Sequence, residues 1–177
     1  QTTSWQDRNG ISLPLTPNEK GNFASSPEEV PLLFETLLLR KEDQYFYYHP
    51  GVNPLSMIRG LLSELHLTKS GGSSTLTQQL VKILLGNEAD RTIPNKLKES
   101  LYAFALEMHA SKRDILTMYE GVAYFGKNRQ GITEASLYFF DKKPAELGEY
   151  EMLQLITALG SPSARFPGSA RGNALLP

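Results

Sequence analysis

Two carboxylates stand directly before an aromatic cluster and a turn in the segment EDQYFYYHPG, which runs from Glu42 to Gly51. A carboxylate that lies against aromatic rings is poorly hydrated, and poor hydration favours uptake of a proton, as a general base requires. The alternative is that the rings belong to the core while the acids face solvent. His49 is more typical of a packed or hydrogen-bonded histidine than of a metal ligand, because His66 and His109 are remote in sequence.

A run of small and hydroxyl residues leads into a second candidate segment, GGSSTLTQQ, at residues 71–79. Thr75 and Gln78 have the spacing of a capping box, so a helix should begin just after Thr75. Backbone N–H groups at the start of a helix, together with a hydroxyl such as that of Ser74, are suited to binding a phosphate. Lys82, one turn later, would add a positive charge. The alternative is a flexible linker followed by an ordinary capped helix.

The third candidate is a pair of opposite charges. Lys96 and Glu99 are one helical turn apart and would face the same side of a helix. Taken alone, such a pair is more typical of an exposed ion pair that contributes little to stability. Its interest therefore depends on whether it lies near the other two segments.

Apolar residues that recur every three or four positions predict the helices that must position these segments. The first helix would begin at Ser26, with proline at the first helical position and acids in the first turn. The others would cover residues 55–65, 76–84, 97–108, 111–119, 132–138 and 152–159, and one short strand is expected at residues 11–13. Six or seven helices with little strand signal predict a mainly α domain.

The composition is that of one globular domain, taken as residues 1–177. The net charge of −1 argues against a general nucleic-acid partner, and the absence of cysteine excludes a thiol nucleophile. No apolar stretch reaches the ~20 residues that cross a bilayer. The helix at residues 55–65 would either dip its apolar face into a membrane interface or, more commonly, bury it in the core. Because the sequence stops at residues 175–177 without a turn or capping pattern, we expect a fragment of a longer protein.

In their order and residue sequence, these segments resemble the motifs of the peptidoglycan glycosyltransferases of glycosyltransferase family 51. These are the polymerising domains of class A penicillin-binding proteins and of monofunctional transglycosylases. The first family motif, EDxxFxxHxG, is complete in Glu42, Asp43, Phe46, His49 and Gly51. The second, GxSTxTQQ, is complete in Gly72, Ser74, Thr75, Thr77, Gln78 and Gln79, with Lys82 following. Two long motifs in the right order are highly specific, and the likeness covers roughly residues 5–167.

Two further family motifs match only in part. The motif RKxxE keeps Lys96 and Glu99 but has Asn95 where arginine is usual, which removes one fork-shaped phosphate ligand. The motif KxxILxxYLNxxYFG departs at Glu120 and Gly121, which place a charge and a helix-weakening glycine where the family has a packed turn. These departures leave open a slow or specialised enzyme, or a divergent copy that binds substrate without polymerising it. The presence of both glutamates favours activity.

The resemblance implies a lysozyme-like fold, with a helical head, little β-structure near the N-terminus, and a smaller membrane-facing jaw that would contain residues 55–65. It implies an inverting reaction in which the 4-hydroxyl of an acceptor sugar attacks the anomeric carbon of a donor held on polyprenyl diphosphate. The substrates would be lipid II and the nascent lipid-linked glycan. The chain would be a membrane-anchored ectodomain at the extracytoplasmic face of the bacterial cytoplasmic membrane.

The same resemblance assigns roles to residues. Glu42 would be the general base, and Glu99 would either hold a divalent cation, Mg²⁺ or Mn²⁺, against the diphosphate or order the phosphate-binding side chains. The substrate would be bound by Asp43, Phe46, His49, Gly72, Ser74, Thr75, Gln78, Gln79, Lys82 and Lys96. No organic cofactor is expected. Moenomycin-type inhibitors would bind the site, and a transpeptidase domain would lie outside this chain.

Two other function classes are compatible with parts of the pattern. A lysozyme-like glycan hydrolase would share the shape and a catalytic glutamate, but it has no use for a group of phosphate-binding residues. A lipid II- or glycan-binding pseudoenzyme would keep the binding residues without turnover. Formation of polymer from lipid II separates the transferase from both.

Overall fold

The computed structural model describes residues 18–24, 28–53, 74–86 and 92–176, and most of them are helical. The longer helices are α1 (Leu32–Glu42), α2 (Leu76–Leu85), α3 (Ile93–His109), α4 (Lys112–Val122), α5 (Ile132–Phe140) and α6 (Glu149–Leu159). The shorter elements are α7 (Pro162–Arg165), α8 (Ala170–Asn173), 3₁₀ turns at Phe46–Tyr48 and Pro144–Glu146, and strands β1 (Phe23–Ala24), β2 (Tyr124–Gly126) and β3 (Arg129–Gln130). The mainly α fold class is confirmed. None of the described helices combines the length and apolar character that a membrane span needs.

The chain divides into two compact units by its contacts. Leu38–Tyr119 forms one, here called the site unit, and Gln1–Leu37 with Glu120–Pro177 forms the other, here called the sheet unit. Among the described residues, the apolar core of the site unit comes mainly from α2 and α4. Its buried residues include Leu38, Phe46, Leu76, Leu80, Ala103, Ile115 and Leu116.

Helix α2 has the boundaries that its sequence predicts. The Thr75 side chain accepts the Gln78 backbone N–H, and the Gln78 side chain accepts the Thr75 backbone N–H, which completes the capping box. The helix ends at Gly86, whose φ of 69° is accessible to glycine at little cost. These caps hold the segment Ser74–Gln79 in one conformation at the start of the helix.

The sheet unit contains a three-stranded sheet in the order β1-β3-β2. Strand β3 pairs parallel to β1 and antiparallel to β2. The β2–β3 hairpin turns through Lys127 and Asn128, both with positive φ, as a tight turn of matching twist requires. Helices α5 and α6 supply most of the buried residues of this unit, among them Ile132, Ala135, Met152, Leu155 and Ile156.

The start of the first helix differs from the prediction. Residues 28–31 are not helical, and α1 begins at Leu32 instead of following a cap at Ser26. The reason is Pro31, because a proline disfavours the helical conformation in the residue before it. The carbonyl of Pro31 accepts the Glu35 N–H and so starts the helix. The strand expected at residues 11–13 and the helix expected at 55–65 lie outside the described residues.

Helix α3 also differs from the prediction, in the face that it buries. The periodic apolar residues Leu97, Leu101 and Met108 are 58%, 64% and 62% exposed, whereas Glu99 and Ala103 are buried. The buried face carries small and polar side chains because a loop approaches it closely. A Cβ on Gly51 would lie 2.7 Å from the carbonyl oxygen of Ala103. The burial of this face therefore follows contacts between distant segments and not apolar periodicity.

Helix α4 runs through Gly121 and ends at Val122, so this glycine does not break the helix as its propensity suggests. The adjacent Glu120 is 4% exposed. A Cβ on Gly131 would lie 2.7 Å from the Gly121 carbonyl oxygen. The departure from the family motif at these two positions is thus accommodated inside the sheet unit.

Candidate active site

Asp43 and His49 form a buried pair at the start of α2. The His49 Nε2–H donates to both carboxylate oxygens of Asp43, at 2.9 and 3.0 Å. Asp43 Oδ2 also accepts the backbone N–H of Leu76 at 2.9 Å. A carboxylate is favoured at this end of the helix dipole. Asp43 therefore fixes the first turn of α2 to the loop that follows α1.

Thr75 and Gln78 also connect elements of the site unit. The Thr75 hydroxyl donates to the Gly51 carbonyl at 2.6 Å, and Gln78 Nε2 donates to the Ser100 hydroxyl at 2.8 Å. Both residues are buried. The backbone N–H groups of Leu76 and Gln78 are bonded within the chain, to Asp43 and to the Thr75 hydroxyl. Two N–H groups at the start of α2, where the sequence predicts groups available for a phosphate, are thus already bonded within the chain.

Glu42, the predicted base, lies against α2. Gln79 Nε2 donates to Glu42 Oε2 at 3.1 Å, and the Tyr119 hydroxyl donates to Gln79 Oε1 at 3.0 Å. The side chain of Glu42 is 16% exposed, so part of the carboxylate remains accessible. Tyr119 is buried, and burial together with the negative charge of Glu42 raises the pKa of its hydroxyl well above the usual value. Tyr119 is therefore a protonated donor at any ordinary pH.

The predicted pair Lys96 and Glu99 is not an exposed ion pair. Lys96 Nζ donates to the Ser74 hydroxyl at 2.5 Å and lies 3.6 Å from Glu99 Oε2. The Glu99 side chain is 6% exposed, whereas that of Lys96 is 38% exposed. The carboxylate is thus buried beside a lysine whose side chain is partly exposed. Such an arrangement can offer positive charge to an anionic group.

Glu42 and Lys96 both bond to the six-residue segment Ser74–Gln79, the first at its end and the second at its start. Lys82 is half-buried on α2, one turn after Gln78 and Gln79. Phe46 is buried and meets the His49 ring edge to face. Asn95 is half-buried, and its backbone N–H bonds to the Thr92 hydroxyl. Gly72 lies outside the described residues.

A family model described as Transglycosylase matches residues 12–175. The chain belongs to the transglycosylase family. Curated relatives include penicillin-binding protein 1C of Escherichia coli K12, 37% identical over 141 residues, which are 79% of this chain and 18% of the relative. Penicillin-binding protein 1B of Haemophilus influenzae is 35% identical over 149 residues, or 81% of this chain and 19% of the relative. The chain spans about a fifth of the length of these relatives.

Membership confirms the resemblance inferred from the two long motifs, and it confirms the predicted enzyme class, a peptidoglycan glycosyltransferase. A third relative, penicillin-binding protein 4 of Bacillus subtilis, is 32% identical over 146 residues, or 82% of this chain and 23% of its own length. The matched residues include both units of the transglycosylase chain.

Several residues that hold the candidate site together have no role in the sequence analysis. Glu107 Oε1 accepts the Thr77 hydroxyl at 2.6 Å and Lys112 Nζ at 2.8 Å. Lys112 also donates to the His49 carbonyl at 2.7 Å and lies 4.4 Å from the centre of the Phe46 ring. Glu107 lies near the end of α3, and its role follows only from its contact with Thr77, thirty residues earlier in the chain.

The described residues supply few of the ligands that a divalent cation needs. Within the described ranges, no three acidic or histidine side chains are grouped as metal ligands. Glu99 offers one buried carboxylate, with Lys96 close to one of its oxygens. Mg²⁺ usually keeps several waters and binds one or two carboxylates together with substrate phosphates. Glu99 therefore fits a cation only where a diphosphate and water complete the shell.

Proposed function

We propose that the chain polymerises lipid II by inverting transfer of a glycan from a polyprenyl diphosphate to the 4-hydroxyl of an acceptor sugar. The observation that carries this proposal is that a glutamate and a lysine, both with partly exposed side chains, bond to one short segment. Glu42 and Lys96 are both bonded within Ser74–Gln79. The reaction needs a base at the attacking hydroxyl and positive charge at the leaving group.

Glu42 would take the proton of the acceptor 4-hydroxyl as its oxygen bonds to the anomeric carbon of the donor. The bond between that carbon and the diphosphate oxygen breaks, and the electron pair leaves with the diphosphate. Attack from the face opposite the leaving group inverts the configuration. Because Gln79 occupies Glu42 Oε2, the proton would go to Oε1.

The diphosphate leaves as an anion, so it needs charge and donors more than it needs a proton. Lys96 would supply the nearest charge, oriented by Ser74 and by the buried Glu99. Lys82 on α2 would add a second. A divalent cation, Mg²⁺ or Mn²⁺, would be held by Glu99 together with the diphosphate, where it would neutralise negative charge.

The location and partners follow from the substrate and are part of the proposal. Lipid II presents its sugars at the extracytoplasmic membrane surface, so the domain would work there as an anchored ectodomain. The names of the curated relatives support a penicillin-binding transpeptidase region elsewhere in the whole protein. Moenomycin-type phosphoglycolipids, which carry a sugar and a phosphate, would compete for the Lys96 region.

The test is polymerisation of lipid II by the purified protein, with Mg²⁺, with Mn²⁺ and with a chelator, and with and without detergent. We expect glycan polymer from the wild-type protein and none from the Glu42→Gln variant. The control is Glu149→Gln, which makes the same change at an exposed position in the sheet unit. Binding of lipid II without any polymer under all conditions would replace this proposal with the pseudoenzyme. Release of short sugars from existing glycan would replace it with the hydrolase.

A further inference from the structure

The amide of Gln79 stands between a carboxylate and a phenol. Its Nε2 donates to Glu42 Oε2 at 3.1 Å, and its Oε1 accepts from the Tyr119 hydroxyl at 3.0 Å. A side-chain amide has one donor end and one acceptor end. Only one of its two orientations presents a donor to Glu42. Whatever bonds to the other end decides which orientation is kept.

We propose that Tyr119 is a positioning residue for the catalytic carboxylate, because its hydroxyl holds the Gln79 amide with the NH₂ end toward Glu42. This inference rests on the proposed function, in which Glu42 is the general base. Gln79 then has an orienting role beside any contact with substrate. The three residues come from three helices, α4, α2 and α1, and each of the three residues lies in the site unit.

The burial of Tyr119 makes it suited to this role. Its side chain is enclosed in the site unit, and its hydroxyl is a donor at every pH at which the enzyme would be assayed. Without that O–H, the amide can turn over and place Oε1 beside Glu42 Oε2. Two acceptors would then face each other, and the carboxylate would lose a donor and its fixed rotamer.

The arrangement also separates the tasks of the two Glu42 oxygens. Oε2 is occupied by Gln79, so Oε1 is the oxygen that remains for the acceptor hydroxyl. Within the described ranges, the titratable groups near this carboxylate include Lys41, whose Nζ is 3.9 Å from Oε1, and Tyr119. An N–H donor stabilises the charged form of a carboxylate over the protonated form. Loss of that donor should therefore let protons inactivate the base at a higher pH.

The test is the pH profile of kcat/KM for lipid II polymerisation by the full-length protein. In Gln79→Met the acidic limb of the profile should move to higher pH by about one unit, the size expected for one hydrogen bond to a charged group. In Tyr119→Phe it should move in the same direction by a smaller amount. The control is Tyr124→Phe, which removes a hydroxyl of the sheet unit that accepts the Asn128 N–H and should leave the profile unchanged.

Thermal denaturation of each variant separates positioning from folding. If Tyr119→Phe does not fold, Gln79→Met carries the test alone. The proposal would be overturned if Tyr119→Phe or Gln79→Met folds and its acidic limb does not move. It would also be overturned if the only change in Gln79→Met is a higher KM at every pH. If Glu42→Gln polymerises normally, the proposed function fails too. If Glu42→Gln is inactive while the acidic limb is unmoved in both Gln79→Met and Tyr119→Phe, only the positioning role fails.

Discussion

Glu42 and Asp43 are adjacent in sequence, and the structure gives their carboxylates opposite surroundings. Asp43 is 5% exposed in its side chain and accepts bonds from His49 and from the start of α2. Glu42 is 16% exposed and accepts a bond from one neutral amide. A carboxylate saturated with internal donors cannot easily exchange a proton with a substrate. If Glu42 is the base, as proposed, then the partners of each acid and not its residue type decide which of the two takes part in the reaction.

The same contrast separates the members of the second charged pair. Glu99 is buried against Lys96, and Lys96 is the partner with access to its surroundings. Under the proposed function Glu42 is the base and Lys96 is the protein's nearest positive charge to the leaving group. Glu99 lies beneath Lys96, and Asp43 fixes the start of α2. Substitutions at these positions can test this division.

The largest effect is expected for Glu42→Gln. General-base catalysis contributes about 10²–10⁴-fold, and kcat/KM for lipid II should fall by that range. The melting temperature should stay near that of the wild-type protein, because Gln keeps the shape and an acceptor for Gln79. Turnover assays and thermal denaturation check both halves. Near-normal turnover would remove Glu42 from the reaction and end the contrast with Asp43.

Lys96→Met should come next. Removal of one preorganised electrostatic contact to a developing charge typically costs about 10²–10³-fold in rate. The matched control is Lys98→Met on the same helix, where the side chain is exposed and lies over the Tyr102 ring. The control should retain most of its activity. Equal losses in the two variants would mean that general surface charge matters and that the Lys96 position has no special role.

Asp43→Asn should act through stability. Leaving a buried polar group poorly paired costs about 1–3 kcal/mol, so the free energy of unfolding should fall by that amount in a urea titration. Activity per folded molecule should fall far less than in Glu42→Gln. Asp141→Asn is the control, since it makes the same change at an exposed left-handed position that Asn also tolerates. An Asp43→Asn variant that is fully stable and inactive would break the comparison.

The sequence predicts much of this arrangement because some of the signals are local. The capping box of Thr75 and Gln78 and the helices from α2 to α6 follow from spacing within one turn or two. The predicted start of α1 at Ser26 is wrong, because Pro31 disfavours the helical conformation in the residue before it. The segments that carry the chemistry were identified by residue type and by resemblance, and their roles stay predictions.

The partners of the candidate site are harder to predict from local spacing. Tyr119 and Gln79 are forty residues apart, and Thr77 and Glu107 are thirty apart. The residues adjacent in sequence to each of these four positions give no indication of either contact. The buried face of α3 could not be predicted either, because small and polar residues there receive the Gly51 loop. Long-range contacts override apolar periodicity at these places.

The smallest effect is expected for Asn95→Arg, which restores the charge that the family motif has at this position. If Lys96 faces the diphosphate, a guanidinium beside it should tighten binding of lipid II or of a moenomycin-type phosphoglycolipid. The gain should be at most about fivefold, because partly exposed charge pairs contribute about 0.2–1 kcal/mol. Position 95 lies in the first turn of α3, where the helix dipole disfavours a cation and reduces the gain further.

The affinity should be measured at low and high salt, since screening should remove the difference. Asn173→Arg adds the same charge at an exposed site in the sheet unit and should leave affinity unchanged. Equal affinity for Asn95→Arg and wild type at low salt would contradict an anion-binding role for this side of Lys96.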